Sequence, residues 1–542
     1  MKNIYLGIDF GAENIMLSYK TDEDEAITTL HFNNQPYFKN YYAKDANTGK
    51  EYFGSEAYDF YFDAFEDGKS DDVVFISRYK QDLAKSKKEL ESKYKRITPQ
   101  EVLVKVLRQI KTEVRDYFAK NDTVIEIKNC VITIPIIWKL DITVIQLYKL
   151  AMEEVGFKNF RIEAEPIAAA ANVITLTRDK YRLFNLKHPP QEGDTILLVD
   201  IGASTLDVNL CKYVNPISAI IGDGNKYAGN YLDALLCSSK NSIELQELLN
   251  FDNRYIEEID EIKTLKETPR GFSRHIRKTP QDAQKIEEAS QRYVETITQS
   301  IAEIIDKDFN EKIDYFVVCG GMSRYSFNDF LKNITIELKA KMPAKLKDTV
   351  FFNENKSFND DFLHKTIVNG AAMLAKDPEL VTKNLPYYMG IVVNMGQGDN
   401  IQKRKRVPVI LLEKGLPIKK SSKKVGLIDR LKKSGIINGS YRLTTTAFTK
   451  PDEPIEIFTA SHETEIKNFA SKKTKTQTIQ FQLTPKYKTN KKTDQILMDV
   501  LSYIDENGII HIDIINEKDK DVVAEGKFDK FADMAEKLEL RI

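Results

Sequence analysis

"YLGIDFGAENIMLSYK", residues 5–20, starts as a strand and is broken in its middle by an acid and a glycine. Tyr5, Leu6 and Ile8 are apolar and favour extended backbone, Asp9 sits where a buried strand does not ordinarily hold charge, and Gly11 ends the run. A lone carboxylate removed from water costs several kcal/mol unless something offsets it, so Asp9 must face a partner. The same order returns in "TILLVDIGASTLDVNLCKY", 195–213, with the apolar run Ile196 to Val199, then Asp200, Gly202 and the alternating strand "LDVNL". Two hairpins with an acid at each turn suggest two similar halves facing one another across a cleft. Such a cleft suits phosphate and metal: glycine lets backbone N–H groups approach phosphate oxygens, and the paired carboxylates hold hydrated Mg²⁺. Each stretch alone also fits an ordinary hairpin with an Asp-Gly-like turn.

Composition bounds the rest. A chain of 542 residues exceeds one core, so two to four domains are expected. With 42% apolar and 30% charged residues it is globular, and a net charge of −1 gives no overall steering toward nucleic acid or membrane. Asp9 interrupts the N-terminal apolar run, which makes it a poor signal peptide, and no stretch is apolar for long enough to span a bilayer. Cys130, Cys211, Cys237 and Cys319 have no C-x-x-C spacing and read as reduced, buried thiols of a cytoplasmic protein. The six histidines lack metal-ligand spacing.

Four further segments carry the argument. "VITIPIIW", 131–138, is an apolar strand ending at a proline, followed by the helical pattern "DITVIQLYKLAMEEVGF". "RIEAEPIAAAANVI", 161–174, gives a strand, then Glu165 and Pro166 at the start of an alanine-rich helix, where a carboxylate is favoured. "YFVVCGGMSRYSFNDFLKNI", 315–334, gives a buried strand, a Gly-Gly turn and an amphipathic helix. "TIVNGAAMLAK", 366–376, is a helix whose small residues suit close packing. In this order the set resembles the nucleotide-binding domain of the seventy-kilodalton heat-shock (DnaK-type) chaperones, within the actin and sugar-kinase superfamily. "GIDFGAEN" and "VDIGASTLDV" are similar to its two phosphate motifs, "VITIPIIW" and "EAEPIAAAA" to its connecting motifs, and "VVCGGMSR" to its adenosine motif.

The resemblance implies ATP and Mg²⁺ as cofactors. It places Asp9 and Asp200 at the metal through water, and Gly11, Ala12, Glu13, Gly202, Ala203 and Ser204 at the phosphates. Glu165 then orients water in the metal shell, and Thr205 and Asp207 line the γ-phosphate side. "RYKQDLAK", 78–85, supplies Lys80 as the cation that places the attacking water, with Arg78 as its rival and a solvated helix face as the plain alternative. Glu165 and Asp207 equally fit the role of caps on neighbouring elements. Gly320, Gly321 and Arg324 hold the adenosine, Lys263 reaches from the opposite lobe, and Gly229 lies in "YAGNYLD", which leads into that lobe. Pro135 matches a proline that relays nucleotide state.

Departures stand out. Ala12 and Glu13 replace two hydroxyl residues, and Ala203 and Ser204 replace two glycines. Thr264, Glu267 and His364 replace an arginine, a serine and an aspartate near the nucleotide. Together they argue for binding retained and hydrolysis slow.

The expected fold is an α/β, actin-like, two-lobed ATPase domain over 1–378, a linker at 379–384, and an all-β sandwich over 385–526 similar to the family's substrate domain. Residues 527–542 remain for a short helix or tail, too little for the family's helical lid. The sandwich rests on alternating strands such as "DENGIIHIDII", with Ile510, Ile512 and Ile514 on one face after the Asn507-Gly508 turn. "KRKR", 403–406, and "KKSSKK", 419–424, read as solvated faces rather than a nucleic-acid site. The expected function is a slowly hydrolysing, ATP-binding, chaperone-like monomer in the cytoplasm. Its partners are extended polypeptide, a J-domain co-chaperone and a nucleotide-exchange factor, with no nucleic acid and no membrane. The alternative is a nucleotide-gated scaffold or pseudo-ATPase with one dedicated protein partner.

Overall fold

The quoted hairpins form. β1 (Lys2–Phe10) turns through residues 11–13 into β2 (Asn14–Thr21), which runs back antiparallel with Asp9 opposite Met16. β3 (Thr28–Thr29) and β4 (Phe38–Lys39) pair with β2. β5 (Tyr42–Asp45), β6 (Glu51–Phe53) and β7 (Val73–Ile76) make a small separate sheet, and α1 (Ser55–Glu66) packs on it. α2 (Pro99–Ala119) follows, begun by Thr98 and Glu101, whose side chains bond each other's backbone N–H groups as a capping box. β8 (Ile125–Ile134) then lies parallel to β1, and β9 (Phe160–Ala164) parallel to β8.

The second half repeats this arrangement. After α3 (Glu165–Lys180), β10 (Thr195–Ile201) pairs antiparallel with β11 (Leu206–Lys212), and β11 pairs with β12 (Ile217–Asn225). Three helices of this half, α4 (Gly229–Asn241), α5 (Ile256–Glu267) and α6 (Ala283–Asp308), precede β13 (Tyr315–Cys319), which lies parallel to β10. β14 (Val350–Phe351) pairs with β13, and α7 (Asp360–Lys376) closes the domain. The order β3-β2-β1-β8-β9 is thus matched by β12-β11-β10-β13-β14. All seven residues of β10 are buried, as a central strand covered on both faces requires.

This computed structural model describes residues 1–24, 26–83, 97–139, 142–180, 189–213, 217–249, 255–267, 271–309, 311–324, 329–352 and 360–384, and nine strands between 388 and 528. Contacts divide the chain into two units, Met1–Lys139 with Ala151–Val381, and Leu140–Leu150 with Thr382–Ile542. The division at Val381 falls inside 379–384, whereas residues 140–150 group apart from the rest of 1–378. Val381 is buried in the core cluster of α3 and α7, and Leu380 packs against that cluster.

The strands of the second unit pair in the order β17-β16-β20-β21-β24-β23-β22-β19, all antiparallel among the pairs described. Here β16 is Tyr388–Met395, β17 Lys405–Leu412, β18 Pro417–Ile418, β19 Tyr441–Thr444 and β20 Ile455–Ala460. β21 is Gln477–Leu483, β22 Leu497–Ile504, β23 Ile510–Asn516 and β24 Val522–Phe528. The strand expected from "GIIHIDII" is β23, paired from Ile504↔Ile510 onward. The Asn507-Gly508 turn, the basic stretch 419–424 and the tail after Phe528 lie outside the described residues. Among the described residues no helix is long and apolar enough to cross a membrane.

Small residues bring α7 against α3 and β1. A Cβ on Gly370 would lie 1.7 Å from the Ala168 carbonyl oxygen, and one on Gly7 only 2.4 Å from the Ala372 nitrogen. Backbone cannot yield as a side-chain tip can, so Gly370→Ala is expected to lower stability in chemical denaturation by about 1–3 kcal/mol. Gly321→Ala, whose Cβ would meet nothing within 4 Å, is expected to unfold at the wild-type midpoint. Equal midpoints for all three proteins would refute this account of the packing.

Candidate functional site

The duplicated hairpins put Asp9 and Asp200 at equivalent places, each one residue before the end of its first strand. Each has a parallel neighbour: Thr133 on β8 beside Asp9, and Cys319 on β13 beside Asp200. The carboxyl ends of these strands open into one cleft, the usual ligand side of such sheets. Asp9, Gly11, Ala12, Glu13, Lys80, Pro135, Trp138, Glu165, Asp200, Gly202, Ala203, Ser204, Thr205, Gly320, Gly321 and His364 all line it. Asp207 stands behind that lining, wholly buried, with Oδ1 accepting the Ile136 N–H at 2.9 Å. Gly229 is also set back, its N–H donating to the Gly202 carbonyl at 2.9 Å. The Arg324 and Glu267 side chains lie outside the described residues.

The floor of the cleft is crowded with negative charge. One carboxylate oxygen from each of Glu165, Asp200 and Asp207 lies within 4.8 Å of the other two. Burial, and after it the Glu165 charge, raises the Asp9 carboxyl to about 7. Burial pushes Asp200 and Asp207 well above the ordinary carboxylate range as well, with Glu165 the next cause for each. Lys80 answers this charge from the 3₁₀ turn Tyr79–Asp82. It is 2% exposed, so it is no solvated face, and its ammonium donates to Glu165 Oε1 at 3.2 Å and to the Phe10 carbonyl. The Trp138 ring lies 5.0 Å from the same nitrogen, within cation–π range.

A divalent cation fits this floor. Asp200 Oδ1 and Asp207 Oδ2 are buried and accept no hydrogen bond, which is costly for any group that a hard cation does not satisfy. Gly320 is required by the same crowding: its φ is +84°, and a Cβ there would lie 2.0 Å from Asp200 Oδ1.

The departures of the first turn resolve into contacts. Ala12 is buried and brings no donor. Glu13 turns toward Lys263 Nζ at 2.6 Å and Arg78 at 3.4 Å. Burial works against its ionisation, but those two cations outweigh it and hold the carboxyl far below the usual range. Arg78 thus faces Glu13, while Lys80 faces the carboxylate floor. Ser204 Oγ accepts from Gln81 at 2.8 Å and Asn230 at 3.3 Å, tying the β10–β11 turn to the Lys80 segment.

Sequence reasoning missed three residues here. Trp138 ends "VITIPIIW" only three residues after Pro135, and its place as the single tryptophan was a usable signal. Asn40 and Gln81 carried none. Asn40 donates to the Gly11 carbonyl at 2.8 Å from nearly thirty residues away, and accepts from Tyr79 at 2.8 Å.

The raised Asp9 value fixes a pH dependence. An unfolded aspartate titrates near about 3.9, so between roughly pH 4 and 7 the unfolded chain holds fewer protons than the folded one. Through Asp9, stability of the metal-free protein is expected to fall as pH rises across this window. Melting temperatures in chelator from pH 4 to 8 should show a shallower fall for Asp9→Asn than for wild type. Superimposable curves would show that Asp9 ionises in the folded state as freely as in water.

No curated protein matches the chain. The match to a family model covers residues 65–225, which hold Lys80, Pro135, Glu165, Asp200 and Asp207, and the model is that of the Hsp70 protein. Over those residues the chain is similar to the Hsp70 family.

Proposed function

We propose that the chain is an ATP-binding, chaperone-like protein that hydrolyses Mg²⁺–ATP slowly and holds extended polypeptide with its C-terminal β domain. The observation that carries the reading is the convergence of Asp9, Glu165, Asp200 and Lys80 on one cleft at the carboxyl ends of two matched hairpins, with Asp207 buried directly behind them. Asp9, Glu165, Asp200 and Asp207 would hold Mg²⁺, which supplies charge neutralisation on phosphate oxygens. Gly11, Gly202 and Gly320 keep side chains out of the way of the phosphates, and Ser204 and Thr205 offer hydroxyl donors beside them.

Lys80 is the group placed to orient an attacking water and to stabilise charge that develops on the transferred phosphoryl group. Glu165 and the Phe10 carbonyl fix that ammonium, so it needs little rearrangement during reaction. Slow turnover follows from Ala12, which lacks a hydroxyl donor near the γ-phosphate, and from Glu13, which is committed elsewhere. Pro135, between β8 and the Trp138 turn, is suited to pass the state of the site toward the polypeptide-binding part. A J-domain co-chaperone and an exchange factor are the partners this reading implies.

Titration calorimetry of the whole chain with Mg²⁺–ATP tests the reading. Binding is expected for the wild type and strong weakening for Asp200→Asn. No binding by the wild type would overturn the ATPase reading and favour the scaffold. In single turnover, Lys80→Ala is expected to lose about 10²–10³ of the hydrolysis rate, the usual cost of a preorganised electrostatic group. An unchanged rate would remove Lys80 from the chemistry.

The polypeptide role rests on the antiparallel strands after 388, since an extended peptide binds by backbone pairing plus apolar pockets. Fluorescence anisotropy with a labelled apolar peptide is expected to show binding with release within seconds to minutes. Residence of hours would mean that a closing element acts on the groove.

A further inference from the structure

Glu13 is held as part of a buried cluster drawn from three separate elements. It lies in the turn between β1 and β2, Arg78 precedes the 3₁₀ turn that carries Lys80, and Lys263 is on α5. The three side chains are 9%, 14% and 12% exposed. Three residues earlier on α5, and so on the same helix face, Asp260 accepts from Tyr58 of α1 at 2.6 Å. Further along, Lys266 pairs with the buried Asp233 of α4 at 2.6 Å, which fixes α5 to its own half. One face of α5 is therefore tied to the first half by two links of opposite polarity, Lys263 to Glu13 and Asp260 to Tyr58. Glu13 also lines the cleft.

We propose that Glu13 is an internal latch on the nucleotide cleft. Its carboxylate stands in for an anionic ligand toward Lys263 and Arg78, closes α5 onto the β1–β2 turn, and must release Lys263 before a nucleotide is seated. This inference rests on the reading of the cleft as a nucleotide site. A buried, doubly paired carboxylate is costly to uncouple, so uptake and release of nucleotide are both slowed by one opening step. Nucleotide association is then limited at high concentration by that step rather than by collision.

Stopped-flow mixing of the whole chain with a fluorescent ATP analogue and Mg²⁺ reads this directly. Wild type is expected to show an observed rate that saturates with nucleotide concentration. Glu13→Gln, equal in shape but uncharged, is expected to speed both association and release at least ten-fold. Glu13→Asp, which keeps the charge, should return part of the way to wild type. Tyr58→Phe removes the second link without touching the cleft lining, and is expected to speed release by a smaller factor. It serves equally if the Gln variant does not fold. Wild type and Glu13→Gln exchanging at the same rate would overturn the latch while leaving the nucleotide reading intact. A wild type that takes up no nucleotide would overturn both.

Discussion

Repulsion among Asp9, Glu165, Asp200 and Asp207 is the constraint around which the first domain is arranged. Glu165, Asp200 and Asp207 each bring a carboxylate oxygen within 4.8 Å of the other two, and Asp9 feels the Glu165 charge, which is unfavourable by burial and by Coulomb energy together. The surroundings offset part of it: Lys80 against Glu165, the Ile136 N–H on Asp207 and Thr133 on Asp9. The oxygens left without a partner, on Asp200 and Asp207, mark what the protein alone does not satisfy. A stable fold tolerates that deficit where a ligand is meant to supply the remainder.

The scaffold follows from this requirement. Two copies of one unit, an antiparallel hairpin with a parallel strand beside it, present their acids from opposite sides of a single cleft. Small residues let α7 press against α3 and β1 closely enough to hold the halves in place. Gly320 leaves room for the Asp200 side chain where a Cβ would collide. This doubled sheet is a mixed α/β arrangement, and the residues that match the Hsp70 family model, 65–225, span its centre.

Charge outside the floor is arranged by the same logic and to a different end. Glu13 pairs with both Arg78 and Lys263 in a separate cluster, and Asp233 pairs with Lys266 in another. Basic groups that would otherwise be available to an anionic ligand are thereby occupied. The acidic floor is left as the main uncompensated charge of the cleft, with Lys80 the cation paired against it.

The sequence by itself determined the two hairpins, their acids, the order of the strands around them, and the small-residue helix that packs on them. Each depends on short-range pattern: an apolar run, an interrupting acid, a glycine, a period of two or of 3.6. It also made the alternating strands of the C-terminal part legible, with β23 at its expected place. What only tertiary structure decided is where side chains of ambiguous position point. Lys80 and Arg78 differ by two residues in one basic segment, and only the fold sends one to the carboxylate floor and the other to Glu13. The direction of Glu13 itself depended on Lys263, two hundred and fifty residues away. Asn40 and Gln81 join the site through contacts that no local pattern encodes. Electrostatic pairing and close approach are set by distance in space, and distance along the chain carries almost no information about them.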